Sequence, residues 1–138
     1  MFLNGTAMSG QKDHDVIVGT TFLGPVRTAA RYRFIAVRDE FPGLLPVSDG
    51  GVSIEGELYE LPEEILDLLM PLEPSELKLA SIELENGQIV NAMQLEPSRL
   101  VEGDKLVDIA EFGGWRAYQR HLAANARLRG VLTQPQPA

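Results

Sequence analysis

The residues with the strongest claim to chemistry are a polar run at the start of the chain and one glutamate far from it in sequence. Met1-Phe2-Leu3 is apolar and leads directly into Asn4-Gly5-Thr6-Ala7-Met8-Ser9-Gly10. A strand that ends in Asn-Gly-Thr exposes backbone N–H groups with little side chain in the way, which suits it to hold a small anion or carboxylate. Asn-Gly is also an ordinary turn signal. Glu73 lies between Pro71-Leu72 and Pro74, directly after an apolar helical segment. A carboxyl beside such an apolar end is partly desolvated, which raises its pKa and makes it a usable general acid or base near neutrality. The plain alternative is an exposed glutamate in a proline-rich turn. His14, just past the glycine-containing run, reads equally as solvent-facing or as the rim of a pocket.

Other chemistries find little support. His14 and His121 form no metal-ligand spacing and the chain has no cysteine, so neither a metal site nor a thiol nucleophile is expected. His121 reads as a surface residue of the last helix. There is no P-loop, GxGxxG or GxSxG pattern, and no cofactor is expected. Lys12, Lys78 and Lys105 lie outside any glycine- and serine-rich segment, so the Ser-Ser-Lys arrangement of amidases cannot be assembled. Glu55 and Glu57 fall on the polar face of a strand and read as solvated unless the sheet closes on itself. Trp115 reads as a helix anchor, and Tyr32, Tyr59 and Tyr118 as half-buried.

These groups need elements to position them. Met1–Leu3, Thr20–Ala30 and Tyr32–Val37 read as strands, the last with Tyr32, Phe34 and Ala36 alternating against Arg31, Arg33 and Ile35. Ser9–Val18 reads as a short helix or turn, Phe41-Pro42-Gly43 as a turn or loop, and Ser48–Gly51 as a hairpin-like turn. Val52–Leu61 is the cleanest strand pattern. Leu61-Pro62-Glu63-Glu64 announces a helix with Ile65, Leu66, Leu68, Leu69 and Leu72 on its apolar face, stopped by Pro71 and Pro74. Leu77–Leu84 and Gln88–Leu95 flank Asn86-Gly87 and predict a hairpin. Glu96–Gly103 reads as a connector with a helical turn. Trp115–Arg129 reads as a helix with Trp115, Tyr118, Leu122 and Leu128 near one stripe. Six or seven strands and two or three helices without a βαβ rhythm predict an α+β fold with a mainly antiparallel, barrel-like sheet.

The chain has 138 residues, 44% of them hydrophobic and 23% charged, as in an ordinary globular domain. The expectation is one domain over 1–132 and a flexible C-terminal tail over 133–138. A net charge of -8 argues against nucleic acid and anionic membranes as partners. No apolar run is long enough to span a membrane, and the N-terminus lacks the basic region and long apolar region that a signal peptide needs, which predicts a cytoplasmic protein. Apolar residues near Leu128-Val131-Leu132 leave a homodimer contact open.

Several segments, in order, resemble one family. Asn4-Gly5-Thr6-Ala7-Met8 is similar to the Tyr-Gly-Thr-Leu-Met loop of the γ-glutamylcyclotransferase-like superfamily. Ala30–Phe34, Phe41–Leu44, Ser53–Pro62, Ile82–Gly87 and Phe112-Gly113-Gly114-Trp115-Arg116-Ala117-Tyr118 resemble the allophanate hydrolase C-terminal domain and its free-standing relatives. The resemblance covers about residues 1–122 and implies a small mixed, mainly antiparallel β-barrel flanked by helices. It implies that Asn4, Gly5, Thr6, Ala7 and Met8, with Tyr32, bind a small carboxylate-bearing ligand. Leu69-Met70-Pro71-Leu72-Glu73 matches the superfamily's Leu-Asp-x-x-Glu pattern, so Glu73 inherits the acid/base role, with Met70 in place of the aspartate and Asn4 in place of the tyrosine. His14 or Glu73 would handle the proton. Two substrate types follow from the resemblance: an N-carboxycarbamate-like compound, decarboxylated by a lyase, or a γ-glutamyl amide. Without an amidase domain the chain is not expected to hydrolyse allophanate itself. The alternative is a non-catalytic binding or assembly module that partners an amidase.

Overall fold

The computed structural model describes residues 1–133. Short apolar and β-branched runs form eight strands: β1 (Phe2–Leu3), β2 (Thr21–Arg27), β3 (Tyr32–Val37), β4 (Phe41–Pro46), β5 (Glu55–Glu60), β6 (Leu77–Glu83), β7 (Ile89–Leu95) and β8 (Leu106–Asp108). Two helices, α1 (Glu63–Leu69) and α2 (Trp115–Thr133), flank them. The strand order is β2-β5-β1-β7-β4-β3-β8, with β6 also on β7. Pairing is antiparallel except where β1 and β4 meet β7. At the far side Thr28 bridges Leu84, and Ala29 N–H and Glu85 N–H donate to the Glu83 and Arg27 carbonyls at 2.9 Å each. A single bridge is not a ladder, so the mixed, mainly antiparallel barrel is loose and its sheet is not closed.

β1 has only two residues, yet both are buried because neighbours hold it on both edges. The N-terminal ammonium donates to the Tyr59 carbonyl at 2.8 Å. Gly56 permits this close pairing: a Cβ there would lie 2.4 Å from the Leu3 carbonyl oxygen and 2.5 Å from the Phe2 ring. Phe2, Phe34, Leu44, Ile54 and Trp115 are all buried in one core. The alternation read in β3 is present, with Tyr32, Phe34 and Ala36 facing that core.

Several elements differ from the sequence reading. Phe41-Pro42-Gly43 is not a loop but opens β4. The β4–β7 ladder is the single pair Leu44–Gln94, so a proline at 42 removes no bond from it. The chain reverses just earlier, through Arg38 (φ 53) and Asp39 (φ 58), with Glu40 N–H donating to the Val37 carbonyl at 2.9 Å. Neither residue is the glycine or asparagine that marks such a turn. Arg38 is instead held by Glu76 and Asp104, and Asp39 by Lys105 and the Tyr118 hydroxyl.

The strand expected over Val52–Leu61 begins only at Glu55, and Val52 makes an isolated bridge to Tyr32. β8 lacks a sequence signal of its own and exists because Leu106–Asp108 pairs with β3. On α2, Trp115 and Tyr118 are buried and Leu122 packs partly against the core, but Leu128 is exposed. The expected tail falls, beyond Thr133, outside the described residues.

Candidate functional site

β6 pairs with β7 along its whole length, from Leu77–Leu95 to Glu83–Ile89. β1 and β4 must therefore share the other edge of β7. β1 takes it at Ala92 and β4 at Gln94. The two strands part at this handover, and a cavity of about 20 Å³ lies between them. That is room for roughly one water molecule. Phe2 through Ala7 form one wall, Phe41 and Pro42 the facing one, and Leu77, Met93 and Glu73 complete it. Gly5 keeps the crevice from clashing: a Cβ there would lie 2.8 Å from the Pro42 ring.

The polar groups of the cavity are unevenly satisfied. The loop after β1 is closed by Met8 N–H to the Gly5 carbonyl at 3.1 Å and Asp13 N–H to the Thr6 carbonyl at 2.8 Å. The N–H groups of Gly5, Thr6 and Ala7 make none of the bonds that close it. Asn4 is 6% exposed, and its side-chain nitrogen has no hydrogen-bond partner. A buried donor without a partner costs about 1–3 kcal/mol, so its persistence calls for a reason.

Glu73 reaches the cavity because of the prolines around it. α1 tightens into a single 3-10 turn over Met70–Leu72, containing Pro71. Pro74 then disfavours helical backbone at the residue before it, and Glu73 is extended, at φ -72 and ψ 141. Its carboxyl accepts no hydrogen bond among the described residues. Burial, with the charge of Asp13 added, pushes it up to about 7.

The structure thus brings Asn4, Gly5, Thr6, Ala7 and Glu73 to one cavity, while three other expected site residues stand outside its lining. The Met8 side chain points into the core. Tyr32 lies in the core as well, and its hydroxyl accepts the Glu83 N–H at 2.9 Å. His14 opens a 3-10 turn over His14–Ile17, and its Nδ1 lies 3.0 Å from the Ala7 carbonyl oxygen. A carbonyl only accepts, so Nδ1 carries the proton and braces the loop.

Sequence reading missed the far end of that loop. Glu57 is 8% exposed and accepts from Ser9 N–H and Ser9 Oγ at 2.7 Å each, from Tyr59 Oη at 3.2 Å and from Arg116 Nη2 at 3.3 Å. Burial alone would raise its pKa, but these donors, those of Ser9 foremost, hold it below the usual carboxylate range. Strand alternation puts Glu57 on a polar face and gives no hint that this face meets the loop and α2.

The pattern of the allophanate hydrolase C-terminal domain matches residues 1–120. The chain belongs to this family. The domain is 33% identical to the urea amidolyase of Saccharomyces cerevisiae over 106 residues, covering 73% of this chain and 6% of that protein. It superposes on the crystal structure of a uropathogenic E. coli-specific protein with a TM-score of 0.78 at 33% identity, covering 87% of this chain and 94% of that one. On the allophanate hydrolase of Kluyveromyces lactis the TM-score is 0.78 at 28% identity, over 88% of this chain and 21% of that one. The chain thus spans a small fraction of the multidomain enzymes it matches. The domain's fold is γ-glutamylcyclotransferase-like, as the resemblance implied. Among the described residues no helix is long and apolar enough to cross a membrane. No cluster of three carboxylates or histidines among them is placed to hold a metal ion.

Proposed function

We propose that this domain is a lyase that binds a small carboxylate-bearing carbamate, of the N-carboxycarbamate class, where β1 and β4 part, with Glu73 as general acid. The observation that carries this reading is a half-neutral, unpartnered carboxyl in the same cavity as unsatisfied donors. The donors of Asn4, Gly5, Thr6 and Ala7 hold a carboxylate of the substrate, which offsets the repulsion of a net -8 protein for an anion locally. In the reaction one C–N bond breaks and carbon dioxide leaves. The electron pair stays on nitrogen, which takes the Glu73 proton, and a carbamate remains. A carboxyl titrating near 7 is present in both forms at neutral pH, so it can give up that proton and regain it. His14 acts behind the loop and fixes the Ala7 carbonyl. The cavity of about 20 Å³ is smaller than such a substrate, so binding includes widening of the crevice by the side chains that line it.

The test is a thermal-shift titration with malonate, in which a methylene replaces the central nitrogen, beside γ-glutamyl amino acids. At a hundred times Kd a bound ligand adds about 2.7 kcal/mol, and Tm rises by roughly 5–15 °C. A shift with malonate alone supports the carbamate class. A shift with γ-glutamyl compounds alone transfers the site to cyclotransferase chemistry. No shift with either favours the second reading, a non-catalytic assembly module for an amidase. The small cavity and the 21% share of the K. lactis enzyme speak for that reading.

A further inference from the structure

α2 divides into two halves with different surroundings. Its first turns carry Trp115, Tyr118 and Leu122 into the core. Beyond Leu122 most of the helix is exposed, and Ala124, Leu128 and Val131 follow one another at spacings of four and three residues, on a face separate from the docked one. Leu128 is 57% and Val131 61% exposed. The charge is equally divided. All twenty acids lie before Trp115, whereas Arg116, Arg120, Arg127 and Arg129 follow with no acid among them. Arg120 and Arg127 flank the apolar stripe and belong to none of the ion pairs among the described residues.

The complementary surface lies elsewhere on the same chain. A groove of about 680 Å³ runs between the segment before β2 and the start of α1, lined by Val18, Thr21, Glu60, Leu61, Glu64 and Ile65 among others. No basic residue lines it. Leu68 stands exposed beside it on α1, with Glu63 and Asp67. These acids, too, enter no ion pair among the described residues. One surface is basic and apolar, the other acidic and apolar.

We propose that the occupant of the groove is the distal half of α2 from a second copy of this chain, in a two-fold dimer. α2 is unbroken from Trp115 to Thr133, so its distal turns do not fold back onto their own body. A two-fold axis satisfies helix and groove on both copies at once, with Leu128 and Val131 against Val18 and Ile65, and Arg120 and Arg127 against Glu64 and Asp67. The inference does not rest on the reading of the Glu73 cavity.

Sedimentation velocity on the full chain over a range of concentrations tests it. The expected result is a monomer–dimer equilibrium that weakens at least tenfold when salt rises from about 0.05 to about 0.5 M, as screening shortens. L128D should raise the dimer Kd at least tenfold, with a thermal midpoint unchanged at concentrations where both chains are monomeric, because Leu128 is exposed. The double variant R120E/R127E should do the same, and adding E64R/D67R to that chain should restore the dimer. A monomer at every concentration overturns the proposal. So does a dimer indifferent to L128D, or a charge exchange that restores nothing. A monomer that binds phosphatidylserine vesicles through Leu128 also overturns it, and assigns the helix to a lipid surface.

Discussion

Two carboxylates stand at opposite ends of one loop and behave in opposite ways. Both Glu57, under Ser9, and Glu73 are withdrawn from solvent, yet the pKa of Glu57 is lowered while that of Glu73 is pushed up to about 7. Burial acts against the charged form at both places. The difference lies in the donors: Glu57 has Ser9, Tyr59 and Arg116, and Glu73 has none among the described residues. A satisfied buried carboxylate ties elements together, and an unsatisfied one beside unsatisfied donors is available for a ligand. The loop from Asn4 to Ser9 is therefore anchored by a satisfied carboxylate at one end and carries an unpartnered side-chain donor at the other.

The sharpest test of this contrast is E73Q. Removing a general acid costs about 10²–10⁴-fold in rate, so turnover of a carbamate substrate should fall by that much while malonate still binds. Unchanged turnover takes Glu73 out of the mechanism. Next in size is E57A, which strands the Arg116 guanidinium and the Ser9 donors. It should cost about 2–4 kcal/mol, read as a fall in Tm, and should weaken malonate binding because the loop is freed. A Tm within a degree or so of wild type would show that the anchor contributes little.

The third prediction concerns pH. A carboxyl raised in the folded state binds its proton more tightly there than in the unfolded chain. Stability then rises as pH falls through about 7 and stops rising below the ordinary glutamate value of 4.5. Glu73 is partly exposed, so the discounted effect is about 1–2 kcal/mol. Urea unfolding of wild type and E73Q at pH 8 and pH 5 measures it: the variant should be the more stable at pH 8, and the gap should close at pH 5. Equal gaps would mean that Glu73 titrates normally. The smallest effect belongs to N4A. Deleting the unpartnered donor removes its burial cost of about 1–3 kcal/mol, offset in part by the space the truncation leaves, so stability should hold or rise while malonate binds about tenfold more weakly. A large loss of stability would show that the Asn4 side chain is structural.

Much of the fold could be read locally. Alternation marked β3, Asn86-Gly87 marked the hairpin of β6 and β7, and Pro62 with two glutamates marked the start of α1. Each is set by residues within a few positions of one another. The turn at Arg38-Asp39 and strand β8 escaped because partners distant in sequence hold them, with no glycine or β-branched run to announce them. The same division runs through the site. The glycine-containing loop and the proline-enclosed Glu73 are legible as residues with chemical potential, because backbone freedom and local desolvation are short-range properties.

The amino-acid sequence by itself determined that such groups exist and that Pro71 and Pro74 present Glu73 in an extended turn. Tertiary structure alone decided that they meet. The handover of one edge of β7 from β1 to β4 opens the crevice, and contacts across 48 and 59 residues place Ser9 and Arg116 on Glu57. It also decided which expected residues stay out, since Met8 and Tyr32 are drawn into the core by apolar burial. Local sequence sets what a backbone or carboxyl can do. Whether a carboxyl is satisfied or left poised depends on neighbours that only the folded chain supplies.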